Sequence, residues 1–508
     1  MLDSFKQFCK RFPAAVDLLV LVSGGLYPLG FSPFGWWPFV FVSLAVLAVS
    51  TSHAGIRRGT WRFYLHSVGM YGVGVSWIYV SIHEHGGASA AMAAFLVALF
   101  VLAFSLIAMV QGWLYMRFVR QSPLGTTLGF AIVWLLREWM STWFLTGFPW
   151  LLAGYAPVGS WLAGYAPVVG VLGVSFLVVF QSAMVAEAMG KPSKRYLGLA
   201  SLLVVVAWLG GLGLSKVQFV SPTGKEITVS LVQGDIDQDE KWLPDMVRPI
   251  IEKYLTLTKS EWGRGLIVWP EASITLFRDQ AADLLHQLDD IGKRYGTTLV
   301  LGIPQWSDDG RFLNTAIALG EGKGQYIKRH LVPFGEYVPF ESVLRGLITF
   351  FDLPMSYNEP GPARQKPMHA GKLTLSLSIC YEVVYPELVR TTVRNPDLFI
   401  TISNDTWFGH SIGPWQHFEM TRMRALENGR YMVRATNNGV TGIIDQHGRV
   451  VAELPQFESG VLRGKVEEFT GHTPYSRVGD RPLLVLAVLV LAAMLAVRAW
   501  SVRRSPIS

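Results

Sequence analysis

Three side chains with complementary chemistry follow apolar, strand-like runs at wide intervals along the chain. Glu271 follows LIVWP, Lys328 follows QYI, and Cys380 follows LTLSLSI. In open α/β sheets, ligand sites form beyond the carboxyl ends of strands, so these residues are expected to share one crevice. A thiol that attacks a carbonyl, a carboxylate that takes its proton and an ammonium that stabilises the oxyanion form a workable acyl-transfer set.

Each of the three residues has an ordinary structural explanation when it is taken alone. A single cysteine is more often a small buried hydrophobe than a nucleophile. A glutamate after a strand is typical of a solvated turn, and a Lys-Arg-His run is typical of a wet surface. Because perturbed sites are few in a protein, only the shared position at strand ends favours chemistry.

The composition indicates a protein that is partly embedded in lipid. Of 508 residues, 51% are hydrophobic and 16% are charged, whereas soluble proteins carry about a quarter charged residues. Two distant cysteines provide neither a disulfide framework nor metal-ligand spacing, and the sequence contains no CxxC, HExxH or Walker motif. We therefore expect no metal and no cofactor. The net charge of +7 does not indicate nucleic acid, because basic residues beside membrane segments are topology signals.

Eight apolar runs are close to the ~20 residues that cross a bilayer as a helix. They cover residues 13–30, 34–50, 61–82, 88–116, 124–143, 167–189, 196–214 and 482–496. A signal peptide is an alternative for the first run, but a second run follows almost at once, which favours a retained span. Residues 148–167 contain the near-repeat WLLAGYAP and WLAGYAP. They are either a ninth span or a re-entrant segment, and their Gly and Pro content favours the latter.

Basic residues cluster at alternate ends of these runs. Because cytoplasmic loops are enriched in Lys and Arg, this alternation predicts that both termini are cytoplasmic. The long segment before the last span is then outside the cytoplasm, which in a bacterium is the periplasm. The clusters are Lys6, Lys10 and Arg11; Arg57, Arg58 and Arg62; Arg117 and Arg120; Lys191, Lys194 and Arg195; and Arg498, Arg503 and Arg504.

The predicted domains are residues 1–215 with seven transmembrane helices, 216–481 as the periplasmic domain, and 482–508 with an eighth helix and a basic cytoplasmic tail. Several strand-like runs of the periplasmic domain are apolar at nearly every position, as expected for strands covered on both faces. The pattern predicts an α/β or layered αββα domain. Its strand-like runs are 227–236, 265–271, 297–306, 314–320, 373–382 and 398–405, and its helical stretches are 245–262, 280–295 and 415–435.

Arg137 and Glu138 lie inside the fifth apolar run. Ionisable groups in a span usually face the bundle interior and pair. Adjacent helical residues point about 100° apart, so separate partners are expected. A position near the lipid headgroups, at the end of a tilted helix, is an equally good interpretation.

Longer motifs around these residues resemble a known family. WPE (269–271), YIKRHLVPFGEYVP (326–339) and ICYE (379–382) resemble the nitrilase superfamily, whose Glu-Lys-Cys triad lies on an αββα sandwich. More narrowly, LVPFGEYVP (331–339), TISNDTWFGHSIGPWQHFEMTRMRALE (401–427) and the plan of eight spans resemble the apolipoprotein N-acyltransferase family. The resemblance implies an α+β membrane protein with a bundle of about eight transmembrane helices and a nitrilase-like αββα sandwich domain.

The resemblance also implies roles for individual residues. Cys380 would be the nucleophile, Glu271 the general base and Lys328 the oxyanion stabiliser. Supporting or substrate-binding roles are implied for Glu336, Trp242, Tyr381 and Glu382. For Trp242, a surface aromatic at a membrane-facing rim is an equally good explanation.

The implied reaction is a ping-pong acyl transfer at the bacterial inner membrane. Cys380 would accept an acyl chain from a membrane phospholipid, with phosphatidylethanolamine the expected donor. The thioester would then acylate the α-amino group of the N-terminal diacylglyceryl-cysteine of apolipoproteins, the last step of lipoprotein maturation. The apolar loop 344–357, with Phe350 and Phe351, is expected to be a lid or acyl-chain guide; ordinary core packing is the alternative.

Two other functions are compatible with parts of the sequence. A membrane-anchored amidase or nitrilase for a small amide is permitted by the triad, but the FGEYVP and NDTWFG segments argue against it. A transporter or lipid-binding protein without catalysis is a second alternative. The intact Glu271, Lys328 and Cys380, and the lack of paired charges through several spans, argue against that function.

Overall fold

The computed structural model describes residues 11–190, 193–339 and 357–504. Two compact units make up the chain: one comprises Met1–Ser76, Ala94–Val217 and Val478–Ser508, and the other comprises Trp77–Ala93 and Gln218–Arg477. Most of the loop predicted at 344–357, including Phe350 and Phe351, lies outside the described residues, as does Cys9.

Long apolar helices dominate the first unit and its borders. Within the described residues, the segments long and apolar enough to cross a membrane are Pro13–Gly30, Ala90–Val119, Trp161–Gly190, Lys194–Leu214 and Arg481–Ser501. The predicted count of eight spans is therefore not confirmed, because the remaining apolar segments are shorter or interrupted. The helices are Pro13–Leu26, Pro38–Ser52, Ile56–Gly74, Trp77–His83, Ala90–Leu114, Phe130–Met140, Ala166–Gly190, Lys194–Leu214 and Arg481–Arg504.

Arg137 and Glu138 are both buried in the first unit and have separate partners. Glu138 Oε1 accepts hydrogen bonds from Trp134 Nε1 at 2.7 Å and from the Ala153 N–H at 2.9 Å. Arg137 Nη1 donates to the Tyr71 hydroxyl at 3.3 Å. Both side chains therefore lie in the interior of the first unit, which was one of the two predicted positions. Their polar partners are expected there, since buried charges require them.

The second unit contains two mixed β-sheets. Among the described residues, the strands are β1 (Val220–Gln233), β2 (Leu266–Val268), β3 (Thr298–Trp306), β4 (Phe312–Gly320), β5 (Gly322–Lys323), β6 (Gln325–Ile327), β7 (Met368–Ala370), β8 (Leu373–Ile379), β9 (Leu398–Ser403), β10 (Met432–Thr436), β11 (Thr441–Ile444), β12 (Val450–Leu454) and β13 (Gly460–Gly471). One sheet has the order β13-β1-β2-β3-β4-β6 and the other the order β12-β11-β10-β9-β8-β7-β5. β1 to β3 are parallel neighbours, as are β8 to β10.

Side chains of the central strands alternate between two apolar layers. In β2, Leu266 and Val268 pack in the layer between the two sheets, whereas Ile267 packs in an outer layer. This alternation follows from the period of two along a strand. The outer layer receives the helices Val247–Thr258 and Ala282–Tyr295. The helices Pro386–Thr392, Gly413–Asn428 and Pro474–Val478 complete the unit, whose two sheets and flanking helices form the predicted sandwich.

The helix predicted at 415–435 is wrong at its carboxyl end. The observed helix Gly413–Asn428 ends before Gly429, whose φ of 63° is the left-handed conformation that glycine favours at helix ends. The following apolar residues form β10, which pairs in parallel with β9. A short apolar run is compatible with either helix or strand by periodicity, so the pairing partner decides its structure.

Candidate active site

The three predicted site residues lie just beyond the ends of three strands. Glu271 lies shortly after β2, while Lys328 directly follows β6 and Cys380 directly follows β8. Lys328 Nζ lies 3.4 Å from Glu271 Oε1. Glu271 Oε2 accepts a hydrogen bond of 2.8 Å from the backbone N–H of Asn404, the residue after β9. Glu271 is therefore held by groups from both sheets.

Lys328 is buried between two carboxylates and is only 1% exposed. Its Nζ donates to Glu336 Oε1 at 2.7 Å, in addition to the longer contact with Glu271. Burial alone lowers the pKa of Lys328, but the charges of Glu336 and Glu271 outweigh burial and hold the pKa above its usual value. The ammonium is therefore charged at neutral pH.

Cys380 has a left-handed backbone, with φ at 52°, and begins the short helical turn Cys380–Val384. This conformation costs a residue with a Cβ about 1–2 kcal/mol, so surrounding contacts must maintain it. The side chain is half-buried. Burial and the negative charge of Glu271 raise the pKa of the Cys380 thiol, while Lys328 lowers it. The net increase keeps the resting sulfur protonated, and a thiol needs a base before it attacks.

Glu382 connects the loop after β6 to the strand that carries Cys380. Its Oε1 accepts from the backbone N–H groups of Arg329 at 2.7 Å and His330 at 3.1 Å, and its Oε2 accepts from the Ile379 N–H at 2.8 Å. The side chain is fully buried. Burial raises the pKa of Glu382, although the N–H groups oppose this change. These contacts fix the loop after Lys328 relative to the turn that begins at Cys380.

Tyr381 and Trp242 lie in aromatic surroundings. The Tyr381 ring packs edge-on against Tyr385, with centroids 5.3 Å apart, and lies 6.0 Å from the His330 ring. The half-buried Trp242 ring packs edge-on against Phe312 at 6.2 Å. Among the residues that the structure describes, the indole N–H of Trp242 has no hydrogen-bond partner.

Known protein families match both the N-terminal part of this chain and its second unit. Residues 228–475 match the Carbon-nitrogen hydrolase family, and residues 23–184 match the Apolipoprotein N-acyltransferase N-terminal domain. An amidase of known structure from Nesterenkonia sp. is 21% identical, covers 52% of this chain and 97% of its own, and has a TM-score of 0.36. Apolipoprotein N-acyltransferase of Vibrio cholerae is 39% identical over 91% of this chain and 93% of its own. That of Pseudomonas syringae pv. tomato is 42% identical over 95% of this chain and 97% of its own. The chain belongs to the apolipoprotein N-acyltransferase family.

The resemblance inferred from the sequence motifs is thus confirmed, and the chain is an acyltransferase of the lipoprotein N-acylation type. Residues 228–475, which lie within the second unit, have the nitrilase-like fold of the carbon-nitrogen hydrolases. Within residues 11–190, 193–339 and 357–504, no group of three or more His, Cys, Asp or Glu side chains is placed to hold a metal ion.

Asn314 contacts two residues of the candidate site but was not singled out from the sequence. Its Nδ2 donates to Glu271 Oε1 at 2.7 Å and lies 3.3 Å from Glu336 Oε1. The available signal was a lone amide within the apolar strand-like run NTAIALG. A buried amide requires hydrogen-bond partners, so its position in a covered strand pointed to a polar site.

Lys241 is a second buried lysine beside the site, only 1% exposed. Its Nζ donates to the main-chain oxygen of Glu271 at 3.1 Å. Burial lowers the pKa of Lys241 to about 8, although the negative charge of Glu271 acts in the opposite direction. In sequence this lysine belongs to the charged segment DEKW, which is typical of a solvated turn, so no local signal distinguished it.

Lys241→Met should stabilise the folded enzyme at pH 7 and lose this advantage at high pH. The lysine titrates at about 8 in the folded state rather than at its usual 10.5, so the unfolded chain binds more protons between these values. Wild-type stability therefore rises with pH through this window, by about 3 kcal/mol in all. Thermal unfolding of detergent-solubilised protein at both ends of the window measures the difference. Lys259→Met, at an exposed lysine, is the control, and a Lys241 variant less stable at pH 7 would contradict the expectation.

Proposed function

We propose that this N-acyltransferase moves an acyl chain from a membrane phospholipid, through a thioester on Cys380, to the α-amino group of the N-terminal diacylglyceryl-cysteine of apolipoproteins. Phosphatidylethanolamine is the proposed donor, and the reaction is the last step of bacterial lipoprotein maturation. The observation that carries the proposal is the cluster beyond the strand ends, in which Glu271 lies 3.4 Å from Lys328 and Cys380 directly follows β8.

In the first half of the proposed reaction, Cys380 becomes acylated. Glu271 takes the thiol proton as the sulfur attacks the ester carbonyl of the phospholipid. The resulting oxyanion is stabilised by the Lys328 ammonium and by the backbone N–H of Tyr381. When the carbon–oxygen bond breaks, Glu271 returns the proton to the leaving alkoxide, and a lysophospholipid departs.

In the second half, the lipoprotein amine attacks the thioester carbonyl. An α-amino group has a pKa of about 8, so its neutral form is accessible near neutral pH. Glu271 accepts the proton that the attacking nitrogen loses, and the same donors stabilise the second oxyanion. The carbon–sulfur bond then breaks, and Glu271 protonates the departing thiolate. The product amide is more stable than the thioester, which drives this half forward.

The four supporting residues receive distinct proposed roles. Glu336 keeps Lys328 charged and in place through their 2.7 Å contact. Glu382 holds the loops that carry Lys328 and Cys380, and Tyr381 supplies the backbone N–H. Trp242 is a substrate contact, because its indole N–H has no partner within the described part of the chain.

The proposed membrane arrangement follows the charge pattern. Residues 1–215 and 482–508 would contribute eight helices, and residues 216–481 would lie in the periplasm with both termini in the cytoplasm. A domain at the outer face of the bilayer reaches both lipid substrates directly. Reporter fusions after residues 215 and 508 test the arrangement, since they should report opposite sides of the membrane.

Cys380→Ser should abolish acylation of the enzyme by phospholipid. A hydroxyl loses its proton far less readily than a thiol and is a far weaker nucleophile, so the serine should not react. Intact-protein mass spectrometry after exposure to phosphatidylethanolamine micelles should show an acyl adduct on the wild type alone. Cys9→Ser is the matched control, because it removes the only other cysteine of the sequence and should leave the adduct intact.

Two results would contradict the proposed function. An adduct that persists in Cys380→Ser and disappears in Cys9→Ser would place the acyl chain on the wrong residue. A wild type that forms no adduct with phospholipid but hydrolyses small amides would favour the amidase alternative.

A further inference from the structure

The backbone carbonyl of Cys380 accepts a hydrogen bond from a buried histidine. His417 Nε2 lies 3.1 Å from this oxygen, and the histidine is only 1% exposed. A carbonyl can only accept, so Nε2 carries a hydrogen. Burial and the charge of Arg434 lower the pKa of His417. The ring is therefore neutral at neutral pH, with its single hydrogen on Nε2.

An ion pair holds the other side of the His417 ring. Arg434 Nη2 lies 3.0 Å from Nδ1 and 2.5 Å from Asp405 Oδ2. Asp405 Oδ1 lies 3.2 Å from Nδ1 and accepts the Ser403 hydroxyl at 2.6 Å. In the neutral ring Nδ1 is an acceptor, so Arg434 donates to it while Asp405 keeps Arg434 in place. Disturbing a buried ion pair is costly, which fixes the orientation of the ring.

The residues of this network come from elements that surround the nucleophile. Asp405 lies just beyond β9, Arg434 lies in β10, and His417 lies on the helix Gly413–Asn428. β9 pairs with β10 on one side and on the other with β8, whose end carries Cys380. The carbonyl of Cys380 is thus anchored to the same sheet that positions its thiol.

Peptide geometry links this carbonyl to a donor of the proposed reaction. The peptide bond between Cys380 and Tyr381 is trans, so its C=O and N–H point in opposite directions. Holding the carbonyl against His417 therefore fixes the direction of the Tyr381 N–H. Because consecutive hydrogen bonds polarise one another, the bond to the carbonyl also strengthens this N–H as a donor.

We propose that His417 is a positioning residue for acyl transfer: it holds the Cys380 carbonyl and thereby aims the Tyr381 N–H at the oxyanion that forms when the thiol attacks. The inference rests on the proposed function in taking Cys380 as the acylated nucleophile. His417 acts through the peptide and neither gains nor loses a proton in this role.

Two reactions of Cys380 separate this role from a general structural one. Acylation by p-nitrophenyl butyrate passes through an oxyanion, whereas alkylation by iodoacetamide displaces iodide from a saturated carbon and forms none. We expect His417→Leu to slow acylation about 100-fold, the usual effect of losing one oxyanion donor, and to leave alkylation nearly unchanged. His417→Gln should restore acylation, because the glutamine N–H can reach the same carbonyl.

His369→Leu is the matched control, since it makes the same change on β7, where His369 pairs with Thr374, well before Cys380. Both reactions should proceed at the wild-type rate in this control. His417→Met provides a second apolar side chain that adapts to the space. Both apolar variants should fold, because each side chain fills the space of the imidazole and the ion pair between Arg434 and Asp405 remains.

Several results would overturn the proposal. Equal slowing of acylation and alkylation in His417→Leu would indicate a displaced thiol. Unchanged acylation in that variant, or a His417→Gln variant as slow as His417→Leu, would exclude the role, as would failure of both apolar variants to fold. Phospholipid acylation of the wild type is measured in parallel. If the wild type is acylated normally by p-nitrophenyl butyrate but not by phospholipid, only the proposed lipid donor is contradicted. The expected rates of the His417 variants with p-nitrophenyl butyrate would still support the positioning role.

Discussion

Glu271→Gln should slow formation of the Cys380 thioester by about 10²–10⁴-fold, the range expected for loss of a general base. The thiol is protonated in the resting site, because burial and the Glu271 charge raise its pKa. Glutamine cannot take the proton, yet its amide oxygen can still accept from the Asn404 N–H, so the local fold should persist. Rapid-quench mass spectrometry with phosphatidylethanolamine micelles measures the single-turnover rate.

The same substitution should make the Cys380 thiol more acidic, although it slows acylation. Because the Glu271 carboxylate raises the pKa of Cys380, its removal should lower that pKa. The midpoint of the pH profile for alkylation by iodoacetamide should therefore move to lower pH, while acylation falls. Glu321→Gln, at an exposed glutamate, is the control and should change neither measurement. Acylation of the Glu271 variant within tenfold of the wild-type rate would exclude the proposed base.

Lys328→Met should inactivate and destabilise the enzyme together. Loss of one oxyanion donor slows acyl transfer by about 10²–10³-fold. Removing one partner of a buried ion pair costs about 3–5 kcal/mol of folding stability, because Glu271 and Glu336 lose their shared cation. Since the pKa of Lys328 is raised above 10.5, its contribution is complete below that pH and is lost only as the pH rises beyond it. The destabilisation should accordingly be the same at pH 7 and pH 9 when thermal unfolding is measured.

A second substitution separates the two effects of Lys328. Adding Glu336→Gln to Lys328→Met removes one of the stranded carboxylates, so the double variant should regain stability without regaining acylation. Lys323→Met, at an exposed lysine on β5, should change neither property. A single Lys328 variant that keeps both wild-type stability and acylation within tenfold would refute its proposed place in the site.

Much of the sandwich could be predicted because its central strands are covered on both faces. Such strands appear in sequence as nearly continuous apolar runs, and the runs at 297–306 and 398–405 match β3 (Thr298–Trp306) and β9 (Leu398–Ser403) closely. β10 was missed because its apolar residues continue the pattern of the preceding helix, and only pairing with β9 gives them a strand conformation. The predicted spans at 61–82 and 124–143 show the same limit, since hydropathy does not reveal where a helix is interrupted.

By itself, the sequence determined the family and predicted the candidate site residues Glu271, Lys328 and Cys380 at strand ends, because these depend on local motifs and on hydrophobic periodicity. Only the tertiary structure decided that Lys328 lies between two carboxylates, that Lys241 is buried beside Glu271, and that His417 holds the carbonyl of Cys380. These contacts join residues distant in the chain, and they form only when strands and helices pack together, which no local pattern specifies.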